Sequence, residues 1–120
     1  MKFVALCPPE WLSRSAVYQI NPRTFSSEGT IADVTAELPT LREMGFRIVY
    51  LCPIFEEDDS ADRTGWSDRQ RASGTDNPKN PYRISDYDKI DPEYGTDADF
   101  KAFNDRAHAL GMKVYMDLVY

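Results

Sequence analysis

Two ten-residue stretches, REMGFRIVYL at residues 42–51 and AHALGMKVYM at 107–116, follow one design. Each has a helix-like end, a glycine (Gly45 or Gly111), an apolar residue, a basic residue (Arg47 or Lys113), and then an apolar run rich in β-formers. Glycine at that place stops a helix. A continuous apolar run suits a strand covered on both faces, as in parallel sheets. A helix–glycine–strand unit that occurs twice therefore restricts the chain to βαβ crossovers, with parallel strands and right-handed connections.

The rest of the chain fills in the order. SAVYQINPRTF reads as a first strand, with Ala16, Val17, Tyr18 and Ile20 apolar and Asn21-Pro22 ending it. Thr30 can cap a first helix, Asp33 falls where the positive helix end favours it, and Val34, Leu38, Leu41 and Met44 follow at helical spacing. Pro39 interrupts that spacing and predicts a kink or a restart. RIVYLCPIF is the second strand. Residues 56–81, rich in Asp, Glu, Ser, Gly, Asn and Pro, read as a long polar loop, of the kind that is usually functional or partly mobile. A second helix opens at Thr96 with Asp99 three residues on; Phe100, Phe103, Ala107 and Leu110 form its buried stripe. The closing stretch, GMKVYMDLVY, is the third strand.

Composition excludes some roles. A net charge of −6 leaves no basic footprint, so nucleic acid and anionic membrane are poor partners. No apolar run approaches the length of a membrane span. MKFVALCPPEW lacks the long apolar core and cleavage site of a secretory signal, which favours a cytoplasmic location. Of the two cysteines, Cys7 and Cys52, the second sits in an apolar run and reads as a buried free thiol.

In a parallel α/β sheet or barrel, ligands bind beyond the carboxyl ends of the strands. Asp117 falls near that end of the third strand. By position alone it is either a site carboxylate or a structural one. In NPYRISDYDKIDPEYGT, Tyr82, Tyr87 and Tyr94 alternate with Asp86, Asp88 and Asp91. Aromatic faces and carboxylates suit a carbohydrate, but the composition by itself favours an ordinary half-buried turn. The acidic residues Glu56, Glu57, Asp58, Asp59 and Asp62 lack the ligand spacing of a calcium loop and read as a solvated run. His108, the one histidine, reads as a packing or surface residue.

Taken together, AVYQINPRTFSSEGT, GFRIVYLCPI and the stretch from NPYRISDY to KVYMDLVY resemble the first part of the α-amylase family, glycoside hydrolase family 13. The resemblance covers residues 11–120, with only 56–79 lacking a recognisable pattern. It implies that residues 1–120 are the N-terminal fragment of a (β/α)8 barrel, carrying strands one to three, two crossover helices and a long loop after strand two. It implies an activity on α-glucosidic bonds of starch-type glucans or oligosaccharides, with retention of configuration. A non-catalytic binding or interaction module derived from the same barrel is the alternative. Tyr82 matches the tyrosine that stacks on the sugar next to the scissile bond, and Asp117 the aspartate that opens the family's first signature and shapes the sugar subsite. Asp86 and Tyr87 match an Asp-Tyr pair taken as structural.

The departures carry weight. The Asn and His that complete the signature would follow Tyr120; the Asn is a common calcium ligand in the family, so any calcium belongs to the full-length parent and no cofactor is expected in this chain. The nucleophile, general acid and transition-state-stabilising aspartate belong to strands four, five and seven. No catalytic or metal-binding residue is assigned here, and the chain alone is expected to be an inactive fragment of a longer protein. Lys79 stands where exo-acting members place an aspartate, which argues against an exo-α-glucosidase. Outer strands with unpaired edges predict self-association.

Overall fold

The computed structural model describes residues 6–58, 63–72 and 80–120. A short helix, α1 (Glu10–Ser13), precedes strand β1 (Val17–Ile20), and a further turn of helix, α2 (Pro22–Phe25), follows it. Helix α3 (Ile31–Glu43) leads to β2 (Ile48–Leu51). Then come β3 (Phe55–Glu57), α4 (Asp68–Ala72), β4 (Ile84–Ile90), helix α5 (Asp97–Ala109) and β5 (Lys113–Met116).

β1, β2 and β5 form a parallel sheet in that order and are the three strands expected. The register sets Val17 beside Ile48 and Lys113, and Gln19 beside Tyr50 and Tyr115. Helices α3 and α5 cover one face. Ile31, Val34, Leu38 and Leu41 of α3 bury against Phe103 and Ala107 of α5 and against Ile20, Val49 and Leu51 of the strands. On the other face Val17, Gln19 and Tyr115 are exposed. Side chains alternate along each strand, so one face can be apolar core while the other stays open.

Both long helices start as their sequences dictate. The Thr30 hydroxyl accepts from the Asp33 amide at 3.2 Å, and Ser26 Oγ donates to Asp33 Oδ2 at 2.7 Å. Thr96 and Asp99 form a reciprocal capping box. Gly45, at φ +102°, ends the first helix in a conformation that costs a side-chain-bearing residue. Helix α3 runs through Pro39 as one element, with no restart. Met44 is its C-cap and is exposed, so the buried stripe stops at Leu41.

Among its described residues the polar excursion contains regular structure that its composition does not predict: β3 runs to Glu57 and α4 spans Asp68–Ala72. β3 and β4 pair antiparallel, with Phe55 opposite Ile90, Glu56 opposite Asp86 and Glu57 opposite Ile84, and the register is irregular at both steps. The segment read as a turn is thus a seven-residue strand, and the loop after β2 begins as a β-ribbon. Its acidic run is not wholly solvated either. Glu57 is buried, bonded by Arg23 Nη2 at 2.7 Å and by the Tyr94 hydroxyl at 2.7 Å. Asp58 pairs with Arg83 at 2.8 Å. Asp59, Asp62 and Lys79 lie outside the described residues. No helix among the described residues is long and apolar enough to cross a membrane.

Candidate sugar site at the carboxyl ends of the strands

Asp117 lies one residue past β5, and its amide donates to the Leu51 carbonyl at 2.9 Å. That bond carries the parallel ladder one step beyond the strands and fixes where the carboxylate stands. Cys52 holds the matching place after β2, its amide bonded to the Ile20 carbonyl at 2.8 Å. It is a buried free thiol, whereas Cys7 is exposed. The Gln19 side-chain amide reaches the Cys52 sulfur at 3.5 Å. Three strands thus place Gln19, Cys52 and Asp117 at one end of the sheet.

The ribbon brings Tyr82 onto this end. Its hydroxyl donates to Asp117 Oδ2 at 3.1 Å and lies 4.0 Å from the Cys52 sulfur. Tyr82 is 45% exposed, so its ring is available while its hydroxyl end is tucked against the strand ends. Burial of that end, the adjacent Cys52 and the hydrogen bond to Asp117 push its phenol up to about 12. Tyr50, from β2, is also raised, first by burial and then by its interaction with Asp117. The Tyr82 phenol therefore stays protonated at neutral pH and donates to the Asp117 carboxylate. An exposed aromatic face beside a carboxylate can stack on a sugar ring and accept from its hydroxyls.

Tyr87 and Asp86 lie further along the ribbon. The Tyr87 hydroxyl donates to the Val119 carbonyl, and its ring sits 5.7 Å from Phe55 and 6.0 Å from Tyr120. It braces the segment after Asp117. Asp86 accepts from the Asp88 amide at 2.9 Å and pairs with Lys89 at 3.3 Å; the Asp88 amide, then Lys89, hold its carboxyl below the usual carboxylate range. No contact joins Asp86 to Tyr82 or Asp117 among the bonds of the described residues. Among those residues, no three His, Cys, Asp or Glu side chains gather as a metal would require.

Three supporting residues, Arg23, Glu57 and Asp91, carry little signal in the sequence. Arg23, in NPRTF, joins α2 to the ribbon through Glu57 and through Glu93 at 3.3 Å, and its guanidinium lies 5.3 Å from the centre of the Tyr94 ring. Desolvation alone would lower the Arg23 pKa; Glu57, Tyr94 and Glu93 reverse that and leave it above the ordinary arginine value. Asp91 ends the ribbon with both oxygens on backbone amides, those of Glu57 at 3.1 Å and Glu93 at 2.9 Å. All three hold the base from which Tyr82 projects.

Known proteins share this fold and part of this sequence. The family model for the α-amylase catalytic domain matches residues 13–120. An oligo-1,6-glucosidase of Parageobacillus thermoglucosidasius is 34% identical over 114 residues, 91% of this chain and 17% of that protein. An α-glucosidase of Pediococcus pentosaceus is 32% identical over 115 residues, 92% of this chain and 17% of that protein. The chain thus spans about a sixth of the length of these relatives. A crystal structure of an α-amylase from Lactobacillus plantarum superposes with a TM-score of 0.75 at 41% identity, covering 91% of this chain and 23% of that one. A trehalose-6-phosphate hydrolase of Bacillus licheniformis gives 0.66 at 33%, covering 92% and 18%. With three parallel strands, two crossover helices and a family match from residue 13 onward, this chain belongs to the α-amylase catalytic-domain family and forms the N-terminal part of its α/β barrel.

Proposed function

We propose that this chain supplies one wall of the sugar site in an enzyme that cleaves α-glucosidic bonds of starch-type glucans or oligosaccharides with retention. The 3.1 Å contact between the Tyr82 hydroxyl and Asp117 at the carboxyl ends of the parallel strands is the observation that supports it. In this reading Tyr82 stacks on the sugar and fixes the rotamer of Asp117, whose second oxygen accepts from a sugar hydroxyl. Asp86 and Tyr87 act on the scaffold.

Retaining hydrolysis needs two carboxyl groups about 5–5.5 Å apart, one as acid and one as nucleophile. Asp91 spends both oxygens on backbone amides and Asp86 is engaged by Asp88 and Lys89, so neither is placed for that work. The 120-residue chain is accordingly proposed to be inactive alone, with the reacting carboxylates, and any calcium, supplied by the full-length parent. Relatives named α-glucosidase and oligo-1,6-glucosidase point to short substrates, whereas Lys79 argues against exo action.

The test is a chain extended through the following strands and assayed on starch, maltose, isomaltose and trehalose. Activity of the extended chain is expected, and none from residues 1–120. Tyr82→Ala or Asp117→Ala should lower kcat/KM by roughly 10–100-fold, the worth of one stacked or charge-assisted contact. Full activity in both variants, or a burst of reducing sugar from the 120-residue chain, would overturn the assignment.

A further inference from the structure

The basic residues of the sequence repeat play no part in the sugar-site geometry. They meet at the opposite end of the sheet, where Arg47 precedes β2, Lys113 opens β5, and the Lys113 amide bonds the Arg47 carbonyl at 2.8 Å. Arg47 and Lys113 line a cleft of about 410 Å³ together with Glu10, Trp11, Arg14 and Arg42. Four cations against one carboxylate stand out in a chain of net charge −6. That carboxylate, Glu10, is already engaged by Arg14 at 2.9 Å.

The cations are arranged rather than merely near. Arg42 Nε donates to the Leu110 carbonyl at 2.9 Å, which fixes its guanidinium against the end of α5. Lys113 Nζ lies 5.7 Å from the centre of the Trp11 ring. Arg47 differs from both, because its Nη1 is buried and has no hydrogen-bond acceptor. Nη1 does not itself open on the cleft; the remaining guanidinium nitrogens make no bond among the described residues, and the planar fork of a guanidinium matches the oxygens of an oxyanion.

We infer that this cleft binds a phosphate group, either the free ion or a sugar phosphate monoester, with Arg47 as its principal donor. Arg42 and Lys113 add attraction, and the Trp11 ring offers an apolar surface to the organic part of a monoester. The site is independent of the sugar-site reading, since it uses none of the same residues.

Tryptophan emission reports on it directly. The one other tryptophan, Trp66, sits between Arg63 and Arg83 and is removed by Trp66→Phe. Potassium phosphate is titrated into that chain against potassium chloride at matched ionic strength, then glucose 6-phosphate against glucose. A saturable response to phosphate that chloride does not reproduce is expected. Arg47→Gln should weaken it roughly tenfold, the worth of a charge-assisted hydrogen bond. Lys101→Gln, which removes an exposed cation paired with Asp105 on α5, should leave it unchanged. Tighter binding of glucose 6-phosphate than of phosphate assigns the monoester; equal or weaker binding assigns the free ion. A response equal to that of chloride overturns the inference without reference to any variant, as do equal effects of Arg47→Gln and Lys101→Gln.

Discussion

At the scale of single residues, the contact between Tyr82 and Asp117 is the most exposed to measurement. A tyrosine raised to about 12 keeps its proton through the range in which ordinary tyrosines near 10 ionise. A raised folded value means that the neutral phenol is favoured by folding; its contribution is complete below the ordinary value and lost as pH rises through about 12. Tyr50 and Tyr94 are raised as well, so ultraviolet titration should show several late phenols, of which one disappears in Tyr82→Phe and moves towards 10 in Asp117→Asn. A titration curve identical in Asp117→Asn and the parent chain would deny the coupling. The second residue-scale prediction concerns Glu57. Its side chain is 3% exposed and one oxygen has no partner, so it depends on Arg23 and Tyr94 for compensation. Removing one member of a buried pair typically costs about 3–5 kcal/mol, and because Arg23 is partly exposed the lower end applies to Arg23→Met. Replacing both Arg23 and Glu57 with methionine should cost less than the single change, by urea denaturation. If the two single changes simply add in the double variant, the pair is not a unit.

At the scale of elements, the two long helices respond to their caps. Thr96→Ala removes the hydroxyl that accepts from Asp99 and should cost about 1 kcal/mol. Asp33 and Asp99 both have carboxyls held below the ordinary 3.8, Asp33 chiefly by the Ser26 hydroxyl and Asp99 by Thr96. A depressed folded value gives stability that is complete above the ordinary value and lost as pH falls through the folded one. The chain should therefore lose stability below about pH 4, and Asp99→Asn should flatten that loss; an unchanged acid profile in Asp99→Asn would exclude the cap as its source. Caps and stripes of this kind depend on residues three or four apart, which is why α3 and α5 were legible from sequence. So was the parallel sheet, through its twice-used glycine–apolar–basic–strand unit. The ribbon was not. β4, ISDYDKI, has no clean alternation of buried and exposed residues, and its pairing with β3 is irregular. Glu57 looks like part of a solvated acidic run because the groups that permit its burial, Arg23 and Tyr94, lie 34 and 37 residues away. Site positions fared in the same way: Asp117 could be placed at a strand end, but its meeting with Tyr82 spans 35 residues and rests on a ribbon that periodicity does not reveal.

At the scale of the whole molecule, the sheet is asymmetric. One face is sealed by α3 and α5, whereas the other exposes Val17, Gln19 and Tyr115 at paired positions of the register. β1 and β5 are the two edges of the sheet, and each presents backbone groups that no described strand pairs. Edge strands flanked by apolar side chains are templates for pairing with another copy. Val17 is 49% exposed and Tyr115 41%, so association through this face would bury surface that the chain itself leaves in water. Sedimentation velocity over a concentration series is expected to show reversible association of the 120-residue chain. Val17→Lys places a charge on the open face and at one edge without touching the packed face. Loss of a buried valine contact is worth about 2 kcal/mol, which corresponds to a dissociation constant raised by roughly thirtyfold. The same substitution lies away from the Tyr82–Asp117 contact, so the late ionisation of Tyr82 should persist in Val17→Lys. A chain that stays monomeric at every concentration, with Val17→Lys indistinguishable from it, would show that the open face and edges do not drive self-pairing.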